Sequence, residues 1–284
     1  MPAQKGFTLI EMAVVLAIIG LILSSGLMMI GPVMEKNRIT QTSQNMDQVE
    51  SALQLFAIRN QRLPCPADGS LTAGNALYGV EQPSGGTATA CTVAAANAVI
   101  PWVTLGLAEN LSLDGWNRRF SYMAANSQTG GTAADSLVYT GCLYRNVSSG
   151  SRPTLCDPDG LTPSYPYGNY LKVENTAGTE ITTANPGGTP TSSTVSTYGG
   201  RAAYVLISHG HNGYYGWQQN GVQIAAAGAV HTYELDNSAY TVANTFVQGP
   251  ENDSNTANHF DDIVRWRTPA YLIQTCGSGA CGNP

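Results

Sequence analysis

Charge is what this sequence has least of. Of 284 residues, 13 are Lys or Arg and 19 are Asp or Glu, a charged fraction of 11%, against roughly 25% in ordinary soluble domains. A net charge of −6 and a pI near 5.1 offer no basic stripe to neutralise phosphates, which excludes a nucleic-acid partner. Disorder of the highly charged kind is excluded as well, because 43% of the residues are hydrophobic and can build a core. Six cysteines are too few for a disulfide miniprotein, and none stands in a Cys-x-x-Cys pair that would hold zinc. Gly and Pro show no collagen-like period, no internal repeat is present, and no EF-hand loop occurs.

The longest uncharged stretch is at the N-terminus. Between Glu11 and Glu35 there is no charge, and the 23 residues from Met12 to Met34 are mostly Leu, Ile, Val, Met and Ala. As a helix this run is about 34 Å long, enough to span a bilayer core. A secretory signal has a shorter apolar region, roughly 7–15 residues, and then a small-residue cleavage site. Here Ser24-Ser25-Gly26 is followed by more apolar residues, so an anchor over 7–34 is expected. Pro32 predicts a kink within it. Glu11 lies at the head of the run, where a carboxylate needs a partner or the interface.

Lys5-Gly6-Phe7-Thr8-Leu9-Ile10-Glu11 resembles the prepilin cleavage and methylation motif of type IV pilins and type II secretion pseudopilins. The resemblance implies a leader at 1–6, cut after Gly6 by a membrane prepilin peptidase that also methylates the new N-terminal Phe7. It implies that Glu11 pairs with the N-terminal amine of a neighbouring subunit, a pairing that makes a carboxylate in low dielectric tolerable. The implied partners are other pilin or pseudopilin subunits, the peptidase/methyltransferase and an inner-membrane assembly platform. Lys5 before the anchor and Lys36 and Arg38 after it set no orientation. The resemblance implies a single pass of the inner membrane with the head outside the cytoplasm, then a periplasmic or extracellular filament.

Beyond the anchor, Ile39, Met46, Val49, Leu53 and Phe56 recur at helical spacing, so 35–62 is predicted as an amphipathic helix lying on a sheet. Leu63-Pro64-Cys65-Pro66 ends it. The head, 63–284, is read as β-rich. A long loop is expected to about residue 100, strands at 119–124, 136–145, 201–208, 221–226, 232–235, 239–247 and 260–267, and a flexible Thr/Ser/Gly-rich insertion at 174–200. The expected class is α+β: a pilin-like long N-terminal helix packed on an antiparallel sheet with long loops. Residues 1–34 hold only Lys5 and Glu11 as charges, so 30 of the 32 fall in the rest of the chain. The sparsity therefore belongs to the head.

Two head segments add to the resemblance. Asp114-Gly115-Trp116-Asn117-Arg118-Arg119-Phe120 is similar to the Asp-x-Trp-Gly-x-Pro-Tyr segment of major pseudopilins, with Asn117 and Arg119 among its departures. Read from the residues alone, it is a turn with Trp116 as a core anchor. The strand 205–208, running into His209-Gly210-His211-Asn212-Gly213, and the segment Phe260-Asp261-Asp262-Ile263-Val264-Arg265-Trp266 resemble the elements flanking a pseudopilin calcium loop. That implies a Ca2+ site with Asp253, Asp261 and Asp262 as oxygen donors. The alternative is that Asp261 and Asp262 cap a turn or pair with Arg265 or Arg267. His209 and His211 form a His-x-His pair, with His231 and His259 elsewhere; they are read as turn or surface histidines, with a transition-metal site as the alternative for which spacing fixes no third ligand. Ser208 beside His209 lacks a Gly-x-Ser-x-Gly elbow, so no enzyme is expected. With the head outside the cytoplasm, disulfides are expected. Cys65, Cys91, Cys142, Cys156, Cys276 and Cys281 allow fifteen complete pairings, and nearest-neighbour pairing joins them in that order. The expected function is a structural filament subunit, a minor pilin. The alternatives are a type II secretion pseudopilin or a membrane-anchored binding domain that does not assemble.

Overall fold

The computed structural model describes residues 6, 8–27, 30–60, 62–83, 91–125, 171–182, 202–226, 232–239, 245–252, 258–268 and 271–272. Two helices lead: α1 (Leu9–Leu27) and α2 (Ile30–Asn60). Pro32, expected as a kink, is the third residue of α2 as described, and residues 28–29 just before α2 lie outside the described residues. Met46, Val49, Leu53 and Ala57 of α2 are fully buried. Ile39, predicted for the same stripe, is exposed and Phe56 is half-buried. The stripe therefore starts where α2 meets the head.

The strands are β1 (Ala67–Asp68), β2 (Ala98–Val99), β3 (Arg118–Arg119), β4 (Ser121–Ala124), β5 (Lys172–Asn175), β6 (Tyr204–Ser208), β7 (Trp217–Gln218), β8 (Thr245–Gln248) and β9 (Ile263–Arg267). Five of them form one sheet in the order β1-β2-β4-β6-β9, antiparallel throughout. β3 pairs with β7 antiparallel, whereas β5 and β8 pair in parallel. Every residue of the central β6 is buried. That matches its unbroken apolar run, Tyr204 to Ile207, since a strand covered on both faces has no polar side to alternate. On one face Tyr204 donates to Glu50 Oε1 of α2 (3.4 Å) and Tyr122 donates to the Pro64 carbonyl (3.1 Å). On the other face Ser121, Met123 and Ile207 meet Phe246 of β8 and the third helix, α3 (Thr232–Ala239).

Several expectations are corrected. Residues 232–235 are helix, not strand, and the inward side of α3 is polar. Glu234, Asn237 and Ser238 are buried, and Asn237 bonds both the N–H and the carbonyl of Val247 (2.7 and 3.0 Å). An inward polar face hides helical periodicity. The strand expected at 119–124 splits at Phe120, with Arg118–Arg119 turning to β7 and 121–124 joining the main sheet. Only Gln223 of 221–226 bridges a neighbour, Trp217. In 239–247 the described strand begins at Thr245. The segment read as an insertion from 174 opens instead as the end of β5. A turn follows in which Asn175 Oδ1 accepts from the N–H groups of Ala177 and Thr179 (3.0 and 2.9 Å). Residues 136–145 and 183–200 lie outside the described residues.

Cys65 and Cys91 form a disulfide with Cα atoms 5.5 Å apart, within the usual span. The other four cysteines lie outside the described residues. Beside the bridge, buried Arg62 clamps Glu81 through two bonds of 2.8 and 2.7 Å, and Glu81 also accepts the Cys65 N–H (3.0 Å). Buried Arg119 donates to the carbonyls of Gly69 (2.6 Å), Leu71 (3.1 Å) and Gln219 (2.8 Å) and stacks on Tyr78 and Trp102. Among the described residues nine charged side chains are buried: Glu50, Arg62, Glu81, Asp114, Arg118, Arg119, Glu234, Asp261 and Asp262. A chain poor in charge thus places much of it inside, where each group needs a partner.

Candidate functional site

At the N-terminus Gly6 is exposed, and Phe7 lies outside the described residues. Thr8 caps α1. Glu11 N–H donates to Thr8 Oγ1 (3.3 Å), and Thr8 N–H and Oγ1–H both donate to Glu11 Oε2 (2.8 Å each). This is a reciprocal capping box. Its signal, Thr-x-x-Glu before an apolar run, stands in the sequence. Glu11 is thus the N-terminal lock of its own helix in the isolated chain. Large apolar side chains of α1 stand exposed on the subunit: Leu9 is 91% exposed and Ile10 72%. Among the described residues no helix is long and apolar enough to cross a membrane. The side chains described in α1 end at Leu21.

In the head, the Asp114 turn docks the fold onto α2. Asp114 Oδ1 accepts the N–H groups of Trp116 and Arg118 (2.9 Å each), and Oδ2 accepts Ser208 Oγ–H (2.9 Å). Gly115 donates to Thr42 Oγ1 (2.8 Å), and a Cβ there would collide with the Arg38 backbone. Asn117 adopts φ 63°, a left-handed conformation that Asn tolerates. Trp116 is not the core anchor expected of it. It is half-buried beside a cleft of about 270 Å³ that is also lined by Glu35, Ile39, Glu251, Asp261 and Asp262.

The turn after β6 separates its two histidines. His211 is exposed, 3.5 Å from Glu35. His209 is fully buried, correcting its reading as a turn or surface histidine. Its Nε2 lies 2.8 Å from Ser121 Oγ and its Nδ1 3.6 Å from Asp262 Oδ1. Serine, imidazole and carboxylate stand in the order of a hydrolase, but the last link exceeds hydrogen-bond length. The cavity at Ser121 is about 10 Å³, room for one water at most. His231 and Asp253 lie outside the described residues.

Asp261 and Asp262 are both buried and diverge. Asp261 Oδ2 accepts the Asn212 N–H (2.8 Å), while Asp262 Oδ2 accepts Asn237 Nδ2–H (2.8 Å). Neither pairs with Arg265 or Arg267, which turn to α2: Arg265 to Asp47 and Ser43, Arg267 to Glu50 (2.7 Å). Instead Asp261 meets two groups that the sequence did not single out as ligands. Glu234 of α3 accepts Asn212 Nδ2–H at both oxygens (2.9 and 3.1 Å) and the Asp261 N–H (3.3 Å). His259 Nε2 lies 3.6 Å from Glu234 Oε1 and 3.7 Å from Asp261 Oδ2. Burial, and then the charge of Asp262, push the Glu234 carboxyl up to about 8. Burial also raises Asp262, against the opposing pull of His209. Gly210 closes the site from above: its φ is +50°, and a Cβ there would strike the Asp261 carbonyl. Donor atoms of Glu234, His259 and Asp261 all fall within 4.8 Å of one another. Among the described residues this set does not fit calcium, which takes oxygen donors only.

Residues 1–27 match the family model described as the prokaryotic N-terminal methylation motif. No curated protein and no solved structure matches the chain. Gly6, the capped Glu11 and the apolar α1 fall within that matched span, and the chain therefore carries a prokaryotic N-terminal methylation motif, which supports the type IV pilin and pseudopilin family.

Proposed function

We propose that the chain is a structural subunit of a type IV pilus-like filament, a minor pilin, held in the inner membrane before leader removal and then packed through α1. One observation carries the reading: the methylation motif opens a helix that leaves Leu9, Ile10, Leu16 and Ile18 exposed to the surroundings. Such a helix, apolar on all sides, must be covered by lipid or by other helices. Its partners are then other subunits, a prepilin peptidase and an assembly platform. Its work is assembly rather than catalysis. The capping box gives Glu11 two successive roles. In the free subunit it accepts from Thr8, and in the filament it meets a neighbour's N-terminal amine, whose charge outweighs neutral donors in low dielectric.

The test is N-terminal analysis of the mature protein by mass spectrometry. N-methylated Phe7 is expected as the first residue; an intact Met1, or cleavage near Ser24–Gly26, overturns the reading. Glu11→Ala is expected to leave membrane insertion intact and abolish incorporation, since it removes the only acidic group in the first 34 residues. The second reading, a type II secretion pseudopilin, is favoured by the Asp114–Trp116 turn that ties α2 to the sheet. It requires secretion of a substrate protein to fail when the gene is deleted, whereas a minor pilin requires loss of surface filaments.

A further inference from the structure

The cluster at Glu234, His259 and Asp261 is independent of the filament reading. We propose that these three side chains bind a divalent transition-metal ion of the zinc class, with solvent completing the coordination.

The donor set is the first argument. One imidazole nitrogen and two carboxylate oxygens converge within 4.8 Å. Imidazole selects zinc and its neighbours in the first transition row, whereas calcium and magnesium take oxygen. Zinc bonds of roughly 2.0–2.1 Å at tetrahedral angles place donors about 3.3–3.4 Å apart. His259 Nε2 stands 3.6 and 3.7 Å from the two oxygens, and all three donors lie within 4.8 Å of one another, so the side chains draw together to close on an ion. Three protein donors with an open fourth position is a familiar zinc arrangement.

The second argument is unmet polarity. Asp261 Oδ1 and Asp262 Oδ1 are buried with no hydrogen-bond partner, and their side chains are 4% and 1% exposed. Among the described residues no Lys or Arg bonds to Glu234, Asp261 or Asp262. Their partners are Asn212, Asn237, a backbone N–H and histidine rings. Three buried carboxylates without a fixed cation are costly unless charge is supplied from outside. A metal ion supplies it.

The third argument is orientation and access. Asn212 and the Asp261 N–H hold the Glu234 carboxylate, and the Asn212 N–H holds Asp261. Such outer donors fix a ligand before the ion arrives. The His259 side chain is 16% exposed while Glu234 is fully buried, so the imidazole is the edge by which an ion enters.

The test uses the full chain in detergent, stripped with EDTA and loaded separately with ZnCl2, CaCl2 or MgCl2. After gel filtration, elemental analysis is expected to find about one zinc per chain and no retained calcium, and zinc alone should raise the melting temperature. His259→Gln and Glu234→Gln should each weaken retention at least about 10-fold, as loss of even an outer-shell partner does. Exposed His211→Ala and acidic Asp253→Asn should leave retention unchanged. If Glu234→Gln does not fold, the Co2+-loaded wild type decides. Visible absorption bands that shift in His259→Gln support the site. Absence of bands overturns it. Zinc retention equal in His259→Gln and wild type, stabilisation by calcium but not zinc, or no retained metal each overturn it as well. The last means that His259 merely pairs with the two carboxylates as a cation.

Discussion

α1 and the head-facing part of α2 are both helical, yet their apolar side chains meet different surroundings. In α1 apolar residues occupy every side, and Ile10, Leu16 and Ile18 stay open. In the head-facing part of α2 the buried apolar residues form one stripe, and Met46, Val49 and Leu53 are closed against the sheet, while Leu55 stays exposed. The other sides there are mostly polar, and part of that polarity docks the head: Asn45 Nδ2 donates to the Leu113 carbonyl (2.7 Å), and Thr42 holds Gly115. Apolar content therefore does not decide burial; its distribution around the helix does. A one-sided stripe finds its partner within the chain, and an all-round surface must find it elsewhere.

The comparison is tested hardest where α2 ends. Arg62→Ala strands the buried Glu81 carboxylate and is expected to cost about 3–5 kcal/mol, read by urea unfolding of the full chain in detergent. Leu53→Ala should cost about 2–5 kcal/mol by opening a cavity in the α2 stripe. Its counterpart Leu16→Ala in α1 should change head stability by no more than about 0.5 kcal/mol while reducing incorporation into filaments. Equal destabilisation by the two leucine variants would break the comparison. Reducing the Cys65–Cys91 bridge, which spans 26 residues, should cost about 3–4 kcal/mol in the head and leave the helicity of α1 unchanged by circular dichroism. Among the changes made within the head, the smallest effect is expected at Tyr122. Burial holds its phenol well above 10, so the unfolded chain ionises first. Stability contributed by the protonated phenol is complete below pH 10 and is lost as pH rises beyond it. Tyr122→Phe should flatten that alkaline slope and cost about 1 kcal/mol at neutral pH through the lost bond to Pro64.

The elements legible in the sequence were those whose burial and periodicity agree. The 46–49–53 stripe and the apolar run of β6 announced themselves because every inward position is apolar. The methylation motif was legible as a string of residue types that no core requires. α3 was not legible, since its inward face is Glu234, Asn237 and Ser238, and Thr-Tyr-Glu-Leu alternates as a strand would. For the same reason Glu234 was missing from the expected acidic site, and His259 joined it only through the bridge between Asn252 and Phe260. β1 and β2 were hidden because two-residue strands have no period to read. The Thr8–Glu11 box was visible in spacing, but the resemblance drew attention to the carboxylate's role between subunits before its role within one.

The position of β9 has a consequence for the order of synthesis. It forms one edge of the sheet beside β6, and its arginines fasten to Ser43, Asp47 and Glu50 of α2. The head is thus closed by a segment made some two hundred residues after the helix it binds. Until residues 263–267 leave the ribosome, Glu50 lacks its cation and β6 presents an open edge to any strand nearby. A chain stopped short of Ile263 keeps its methylation motif and its early Cys65–Cys91 loop but exposes that edge, where a strand of another chain can pair with it.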